Sequence, residues 1–205
     1  MTKRKILLWL ALTAACTAGC AQHAIAPPAA PNADAKPAQH VIVIHDFKQG
    51  LTGVKAVKPD VKLSLGRDDD PEHAGAPTLT VEYPKPSDNE AARDVWCEAQ
   101  NRDWRPGGAI SFRVKPDHAV KLSVSFIDRN GVAYTAWVMA AQPGVWQTLH
   151  ISLTEIRPNP YFQPPNAKTG APLDVSEVTS IGLAPHDDVA GRFEIGGFVL
   201  GGLGG

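Results

Sequence analysis

The chain has 205 residues, with 20 lysines and arginines against 21 aspartates and glutamates, and 43% of its residues are hydrophobic. The near-zero net charge excludes a generic nucleic-acid-binding protein, which would carry a clear excess of basic residues, and the hydrophobic fraction excludes a wholly disordered chain. Three cysteines are too few to build a disulfide scaffold. Composition therefore predicts one globular domain with extensions.

Residues 1–19 have the pattern of an export signal. A basic start at 3–5 precedes an apolar run over 6–15, which is shorter than the roughly 20 residues that a bilayer span requires. The ending TAGC over 17–20 resembles the bacterial lipobox, in which the cysteine is acylated. We therefore predict a lipoprotein signal peptide over 1–19 and lipidation of Cys20; an ordinary signal peptide that is cut nearby is the alternative.

Residues 20–40 (CAQHAIAPPAAPNADAKPAQH) are predicted to be a tether. They are rich in alanine and proline and have no apolar periodicity, and segments of this kind stay extended. A domain over 41–200 and a glycine-rich tail at 201–205 are predicted to follow. The tether would hold this domain away from the membrane, which the protein would contact through its lipid anchor alone. This predicts an exported bacterial protein of the cell envelope, at the outer membrane or the periplasmic face.

The domain consists of short apolar runs separated by turn residues. Leu122, Val124 and Phe126 alternate with polar residues, which is the period of a half-buried antiparallel strand. Asn130-Gly131 predicts a hairpin turn, because both residue types tolerate a positive φ. Similar runs predict strands over 41–47, 61–65, 78–83, 95–98, 109–114, 120–128, 133–138, 146–153, 178–183 and 193–200. The pattern predicts an all-β fold, an antiparallel β-sandwich or barrel.

An ordered series of landmarks connects the domain with known families. The series comprises Asp46-Phe47, Gly75, Asp103-Trp104, Asn130-Gly131, Gly144-Val145-Trp146-Gln147, Leu173-Asp174-Val175-Ser176 and the closing strand at 191–195. In this order the landmarks resemble the galactose-binding-like jelly rolls, in particular family 11 carbohydrate-binding modules and the related complex I assembly factor family. The resemblance implies a jelly-roll β-sandwich that binds a polysaccharide or oligosaccharide.

The same families often hold a structural calcium with an acidic residue after the opening phenylalanine and an Ile-Asp-Asp or Ile-Asp-Asn step near the end. Here Lys48 and Gly196-Gly197 stand at those positions, so the oxygen ligands that calcium prefers are missing. The acidic run at 67–73 lacks the EF-hand pattern and is predicted to be a solvated loop. We therefore predict no cofactor, with a structural calcium as the alternative.

The sequence carries no motif for catalysis. It contains neither a Gly-x-Ser-x-Gly elbow nor a His-Glu-x-x-His helix, and it singles out no pair of carboxylates of the kind that glycosidases use. The prediction is a non-catalytic glycan-binding domain. A protein-interaction or assembly module of the same fold is the first alternative, and a polysaccharide hydrolase or lyase is the second.

The alternation of inward and outward side chains along each strand selects the candidate ligand-binding residues. If the large apolar residues of each strand face the core, then Arg113, Trp137 and His150 face outward, and we expect them in one shallow cleft roofed by Tyr161. Aromatic rings there would pack on the apolar faces of sugars. Trp104 is also predicted to bind the ligand. Trp104 and Trp96 are each equally compatible with ligand contact and with packing inside the domain. Cys97 is predicted to be a small buried side chain without a disulfide partner.

Overall fold

Almost every apolar run in the sequence is a β-strand in the computed structural model, which describes residues 41–86 and 93–201. The strands are Ile42–His45 (β1), Val54–Ala56 (β2), Lys62–Arg67 (β3), Pro77–Tyr83 (β4), Val95–Glu98 (β5), Ala109–Pro116 (β6), Val120–Asp128 (β7), Ala133–Ala140 (β8), Gln147–Ser152 (β9), Arg157–Pro158 (β10), Val178–Pro185 (β11) and Gly191–Gly201 (β12). In these ranges no helix has the length and apolar character needed to span a bilayer. The signal peptide, Cys20, the tether and residues 202–205 of the tail lie outside the described residues.

The strands form two antiparallel sheets that pack into a sandwich, which confirms the predicted all-β jelly roll. Sheet A has the order β3-β4-β12-β6-β9, and β1 also pairs with β12. Sheet B has the order β10-β8-β7-β11-β5-β2. Neighbouring strands are rarely consecutive in the chain, so side chains from distant parts of the sequence share each face.

The long strand β12 changes partner along its length. Its first half pairs with β4 and its second half with β1, and its pairing with β6 shifts register between Ile195 and Phe198. Gly196 and Gly197 occupy this shift. A Cβ atom on Gly197 would lie 2.7 Å from the carbonyl oxygen of His45, so only glycine allows β1 to approach here.

The core lies between the inner faces of the two sheets. Leu122, Val124 and Phe126 of β7 are fully buried, as their alternation predicts. Phe112 of β6 and Phe198 of β12 meet them from sheet A and pack against each other with their ring centroids 5.2 Å apart. Burial of such side chains is the main source of stability in a domain without disulfides.

The predicted hairpin turn joins β7 to β8, although only one of its two residues has a positive φ. Gly131 lies in the left-handed region with φ of 71°, and its N–H donates to the carbonyl of Asp128. The Asp128 carboxylate accepts the N–H of Asn130 at 2.9 Å. Asn130 therefore needs no left-handed conformation, since the Asp128 side chain completes the turn.

Cys97, on β5, is buried and forms no disulfide within the described part of the chain, as predicted. Its burial raises the pKa of the thiol to about 12. The thiol is therefore protonated at physiological pH and acts as a small core side chain.

Candidate functional site

The outer face of sheet B carries a groove of about 780 Å³. Its floor consists of small side chains, because the outward positions of two central strands are Ser123 and Ser125 on β7 and Gly182 and Ala184 on β11. Larger side chains stand around this floor. The groove is therefore a consequence of residue size on one face of a regular sheet.

The first aromatic side chain of the groove is Trp96, on β5. Its neighbours Val95 and Cys97 point into the core, so the indole points outward. A Cβ atom built on Gly182, the residue opposite Trp96 in β11, would lie 2.8 Å from indole carbons. The indole therefore rests directly on the glycine backbone, with one face on the floor and the other toward the groove.

The second aromatic side chain is Trp137, on β8, which is 41% exposed. The Lys121 ammonium lies 4.4 Å from the centroid of its ring, and the His186 ring meets it at 4.5 Å with an interplanar angle of 67°. His186 Nε2 lies 2.9 Å from the hydroxyl oxygen of Ser123. Burial, with the nearby charges of Arg93 and Lys121, lowers the pKa of His186, so this imidazole is neutral at physiological pH.

A loop after β10 supplies two further aromatic rings. Tyr161 is 85% exposed and Phe162 is half exposed, and both line the groove. The Asn159 carboxamide oxygen accepts the N–H groups of Tyr161 and Phe162 at 2.9 and 3.2 Å. The Gln163 side chain accepts from Ala133 N–H at 3.0 Å and donates to Ala133 O at 2.8 Å. Gln163 thus extends the pairing at the β8 edge and fixes the loop to the sheet.

The groove continues beyond Trp96 as a smaller cavity of about 280 Å³. Trp96 and Phe162 line both cavities, and Lys55, Glu98 and Ser180 line the second. A long, shallow groove lined with aromatic rings and hydroxyl groups suits an elongated ligand with alternating apolar and polar surfaces.

Two carboxylates, Asp94 and Glu98, line the groove and its continuation. Burial raises the pKa of Asp94, which is a property of some catalytic acids. The two residues are four positions apart in one extended segment, which separates their Cα atoms by about 13 Å. Glycosidases place their two carboxyl groups about 5–9.5 Å apart, which is less than the separation of these two Cα atoms.

The structure brings together only part of the predicted site. Trp137 and Tyr161 share the sheet B groove, but Arg113 on β6 and His150 on β9 belong to sheet A. The prediction that Arg113, Trp137 and His150 share one face is therefore wrong, because outward positions of different sheets face opposite sides of the sandwich. His150 Nδ1 instead lies 2.7 Å from the hydroxyl oxygen of Ser111.

Trp104 is a core residue and does not line the groove. Its side chain is 0% exposed, and it meets Phe126 edge-on with centroids 5.7 Å apart. The indole N–H donates to the carbonyl of Asn101 at 3.0 Å. The prediction that Trp104 binds ligand is wrong in this structure, because the loop that carries it folds into the sandwich.

Arg113 holds the acidic run of the sequence against sheet A. Its guanidinium bonds Asp68 and lies 2.5 Å from Asp70, and it stacks on Trp146 with 4.9 Å between its carbon and the ring centroid. Trp146 in turn donates to Asp69 at 2.7 Å. The run is therefore an ion-paired loop rather than the freely solvated loop that the sequence predicts.

The positions at which the resemblance implies calcium ligands are occupied by Lys48, Gly196 and Gly197. Lys48 Nζ lies 2.9 Å from the Asp46 carboxylate, and Gly196 and Gly197 offer no side-chain oxygen. Within residues 41–86 and 93–201, no three or more His, Cys, Asp or Glu side chains form a group that could hold a metal ion. That the protein needs no metal stays a prediction.

The fold and the groove define a β-sandwich binding module, and the comparison with protein families identifies its class. Residues 27–202 match the model of the carbohydrate binding domain of family 11. The chain therefore belongs to family 11 of the carbohydrate-binding modules, which are non-catalytic, and the predicted carbohydrate-binding function is confirmed at this level. Among curated proteins, no relative matches the chain.

Solved structures, two of them of family 11 modules, share the fold at low sequence identity. The family 11 module from Clostridium thermocellum in complex with a β-1,3-1,4-mixed-linked tetrasaccharide is 19% identical, with a TM-score of 0.59, covering 78% of this chain and 95% of that module. The solution structure of the module named CtCBM11 is 18% identical, with a TM-score of 0.63, covering 82% and 99%. An exo-β-agarase is 14% identical, with a TM-score of 0.57, and the match covers 78% of this chain but 24% of that enzyme.

The residues selected from the sequence do not include several that line the groove, among them Trp96, Ser123, Ser125 and Phe162. Ser123 and Ser125 are the polar residues that alternate with Leu122, Val124 and Phe126, so the strand period places them outward. The alternation of Val95-Trp96-Cys97-Glu98 does place Trp96 outward. Phe162, in an irregular proline-rich loop, has no periodic signal at all.

Proposed function

We propose that the sheet B groove is the surface with which this domain holds a linear glycan chain. The observation that carries the proposal is the Trp96 indole, which lies flat on Gly182 with its second face toward the groove. Apolar faces of sugar rings pack on exposed aromatic rings, and sugar hydroxyls bond neighbouring polar groups. The hydroxyls of Ser123 and Ser125 lie on the floor between Trp96 and Trp137 and supply such groups.

The mixed-linked β-1,3-1,4 tetrasaccharide that the Clostridium thermocellum module holds is the first probe for this groove. The aromatic rings stand on separate strands and on a loop, so they can contact different sugar residues of one chain. Trp96 on β5 and Trp137 on β8 are three strand spacings apart, about 14 Å across the sheet. An oligosaccharide can span this distance, and the proposal therefore favours an oligosaccharide over a monosaccharide.

Trp137→Ala is expected to weaken binding of the tetrasaccharide roughly 5- to 30-fold, because a stacked ring contributes on the order of 1–2 kcal/mol. Thermal unfolding should change little, since the indole is exposed. Isothermal titration calorimetry and a thermal melt measure the two effects. The matched control is Trp146→Ala on sheet A, for which we expect unchanged affinity.

Equal affinities of the wild type and Trp137→Ala would contradict the placement of the ligand at this end of the groove. Failure of the wild type to bind any glycan would favour the alternative, a protein-interaction module of the same fold. Loss of folding in Trp137→Ala would show that the residue supports the core instead.

We further propose that the domain is lipid-anchored to the bacterial cell envelope through Cys20. The apolar run at 6–15, the small residues before Cys20 and the alanine- and proline-rich segment after it support this proposal. The lipid anchor would be the only membrane contact, at the outer membrane or the periplasmic face. A tether would leave the groove free to reach a polysaccharide.

Cys20→Ser is expected to abolish lipid labelling and to move the protein from the membrane fraction to the soluble fraction, or to block processing of the signal peptide. The reason is that serine offers no thiol for acylation. Metabolic labelling with a fatty acid and cell fractionation measure the result. Cys97→Ser is the matched control and should keep the label. A lipidated, membrane-bound Cys20→Ser protein would contradict the anchor.

A further inference from the structure

His186 lines the groove, and its backbone is fixed from the interior of the domain by Arg93. Arg93 is 5% exposed, and its Nη2 atom donates to the carbonyl oxygens of Pro185 and Asp187 at 3.0 and 2.7 Å. These two residues directly precede and follow His186 in the chain. The guanidinium therefore fixes the backbone that holds the His186 ring against Trp137.

The Asp187 carboxylate pairs with Arg93 and joins it to two further side chains. Arg93 Nη1 donates to Asp187 Oδ1 at 2.9 Å. The Tyr83 hydroxyl, on β4, donates to Asp187 Oδ2 at 2.8 Å, and His118 Nε2 lies 2.9 Å from the same oxygen. We call these four residues the Asp187 cluster. None of the four lines the groove or its continuation.

His118 places both of its ring nitrogens on carboxylates. Nε2 lies 2.9 Å from Asp187 Oδ2, and Nδ1 lies 2.7 Å from Asp117 Oδ1. A carboxylate can only accept hydrogen bonds, and a neutral imidazole donates from only one nitrogen. Both bonds therefore require the imidazolium form. In agreement, the hydrogen bond to Asp187, with a further contribution from Asp117, raises the pKa of His118.

The other groups that face His118 keep their charge near neutral pH. The Tyr83 hydroxyl lies 3.4 Å from Nε2, and burial together with Asp187 raises the pKa of Tyr83. Arg93, on the far oxygen of Asp187, is always protonated. From β12, the uncharged Gly191 packs so closely that a Cβ atom there would lie 2.4 Å from His118 Cε1. His118 is therefore the member of the cluster that changes its charge near neutral pH.

Loss of the His118 proton breaks one of its two bonds, because the lone pair of one nitrogen then faces a carboxylate. Asp117 lies in the turn between β6 and β7, and Asp187 lies in the turn between β11 and β12, so the link between the two turns is lost. The stabilisation from this link is present at low pH and is lost as the pH rises through the raised pKa of His118. Arg93 and Tyr83 still hold Asp187, so the domain remains folded with a less firmly fixed His186.

We propose that the Asp187 cluster positions His186 for the ligand and couples the groove to His118, so that the glycan binds more tightly when His118 is charged. The His186 ring packs on Trp137 and bonds Ser123, both of which line the groove. A shift of His186 therefore changes the surface that the ligand contacts. This inference rests on the proposed function of the groove and assigns a positioning role to residues outside it.

The experiment is a calorimetric titration of the wild type with the mixed-linked tetrasaccharide at about pH 7 and about pH 9, a range in which an imidazole of raised pKa loses its proton. His186 stays neutral throughout, since its pKa is lowered. We expect binding about threefold weaker at the higher pH, the scale of one partly exposed ionic bond. Nuclear magnetic resonance of the imidazole protons follows the protonation of His118 in the same samples.

His118→Gln cannot titrate and should bind the tetrasaccharide equally at both pH values. His150→Gln, on sheet A, is the matched control and should retain the dependence of the wild type. His186→Ala should bind more weakly and lose the pH dependence, although His118 still titrates in its spectra. This last result separates positioning through His186 from a general effect of pH on stability.

Equal affinities of the wild type at the two pH values would overturn this inference and leave the proposed function intact. A pH dependence that survives in His118→Gln or in His186→Ala would also overturn it. Absence of binding at both pH values would overturn the inference and the proposed function together.

Discussion

Trp104→Ala is expected to lower the free energy of unfolding by about 3–5 kcal/mol, the cost of truncating a fully buried tryptophan. The indole is 0% exposed, packs edge-on against Phe126 and donates to the Asn101 carbonyl. Its removal leaves a cavity and an unpaired carbonyl group. For a domain of this size the loss corresponds to roughly 6–20 °C in Tm, and chemical denaturation and calorimetry measure it.

Trp104→Phe is the graded control for this prediction. Phenylalanine keeps the contact with Phe126 but loses the bond to Asn101, so the expected cost is smaller. Trp137→Ala, the same change at an exposed site, should leave stability nearly unchanged. Wild-type stability of Trp104→Ala together with a loss of glycan affinity would contradict this prediction and identify Trp104 as a binding residue.

The sequence was sufficient to predict most of the strands, because alternation records which side chains are buried. Leu122, Val124 and Phe126 show it most clearly, and all three are in the core. Two strands, β2 and β10, were not predicted. They are three and two residues long, too short to show a period, and they form because a neighbouring strand offers them hydrogen bonds rather than because of their own apolar pattern.

The candidate site was predicted less well. The alternation of inward and outward side chains can be followed only within one strand, and it does not relate one strand to another. It places Arg113, Trp137 and His150 outside the core, which is correct, but it does not say which sheet holds each strand. That information depends on pairings such as β6 with β9 and β7 with β11, whose strands are not consecutive in the chain. Trp104 could not be placed, since no periodicity surrounds it.

The two outer faces of the sandwich differ in a way that accounts for the position of the groove. On sheet A, the loop that contains Asp68 and Asp70 folds back over the strands and is fixed by Arg113. Thr78 and Thr80 beneath it are buried although they point outward. On sheet B, Ser123, Ser125 and Ala184 on β7 and β11 have small side chains that are 3–7% exposed, and they form the bottom of the groove between larger side chains. Sheet A is therefore closed by its own loop, and sheet B remains open to a ligand.

Trp96→Ala is expected to weaken glycan binding by roughly 30-fold or more, the effect of a central aromatic anchor that contributes about 2 kcal/mol or more. Trp96 lines both cavities of the groove, so its indole contacts a ligand that spans them. Titration calorimetry with the mixed-linked tetrasaccharide measures the loss. A melt of the variant separates this effect from unfolding.

Gly182→Ala tests the same anchor without removing the indole. The added methyl group would lie 2.8 Å from indole carbons of Trp96, a distance that forces the ring to move off the floor of the groove. We expect a loss of affinity that approaches that of Trp96→Ala, and little additional loss when the two changes are combined, because both remove one platform. Gly201→Ala is the matched control, since a Cβ atom there meets nothing within 4 Å. Independent, additive losses from Gly182→Ala and Trp96→Ala would show that the flat position of the indole is not what the ligand recognises.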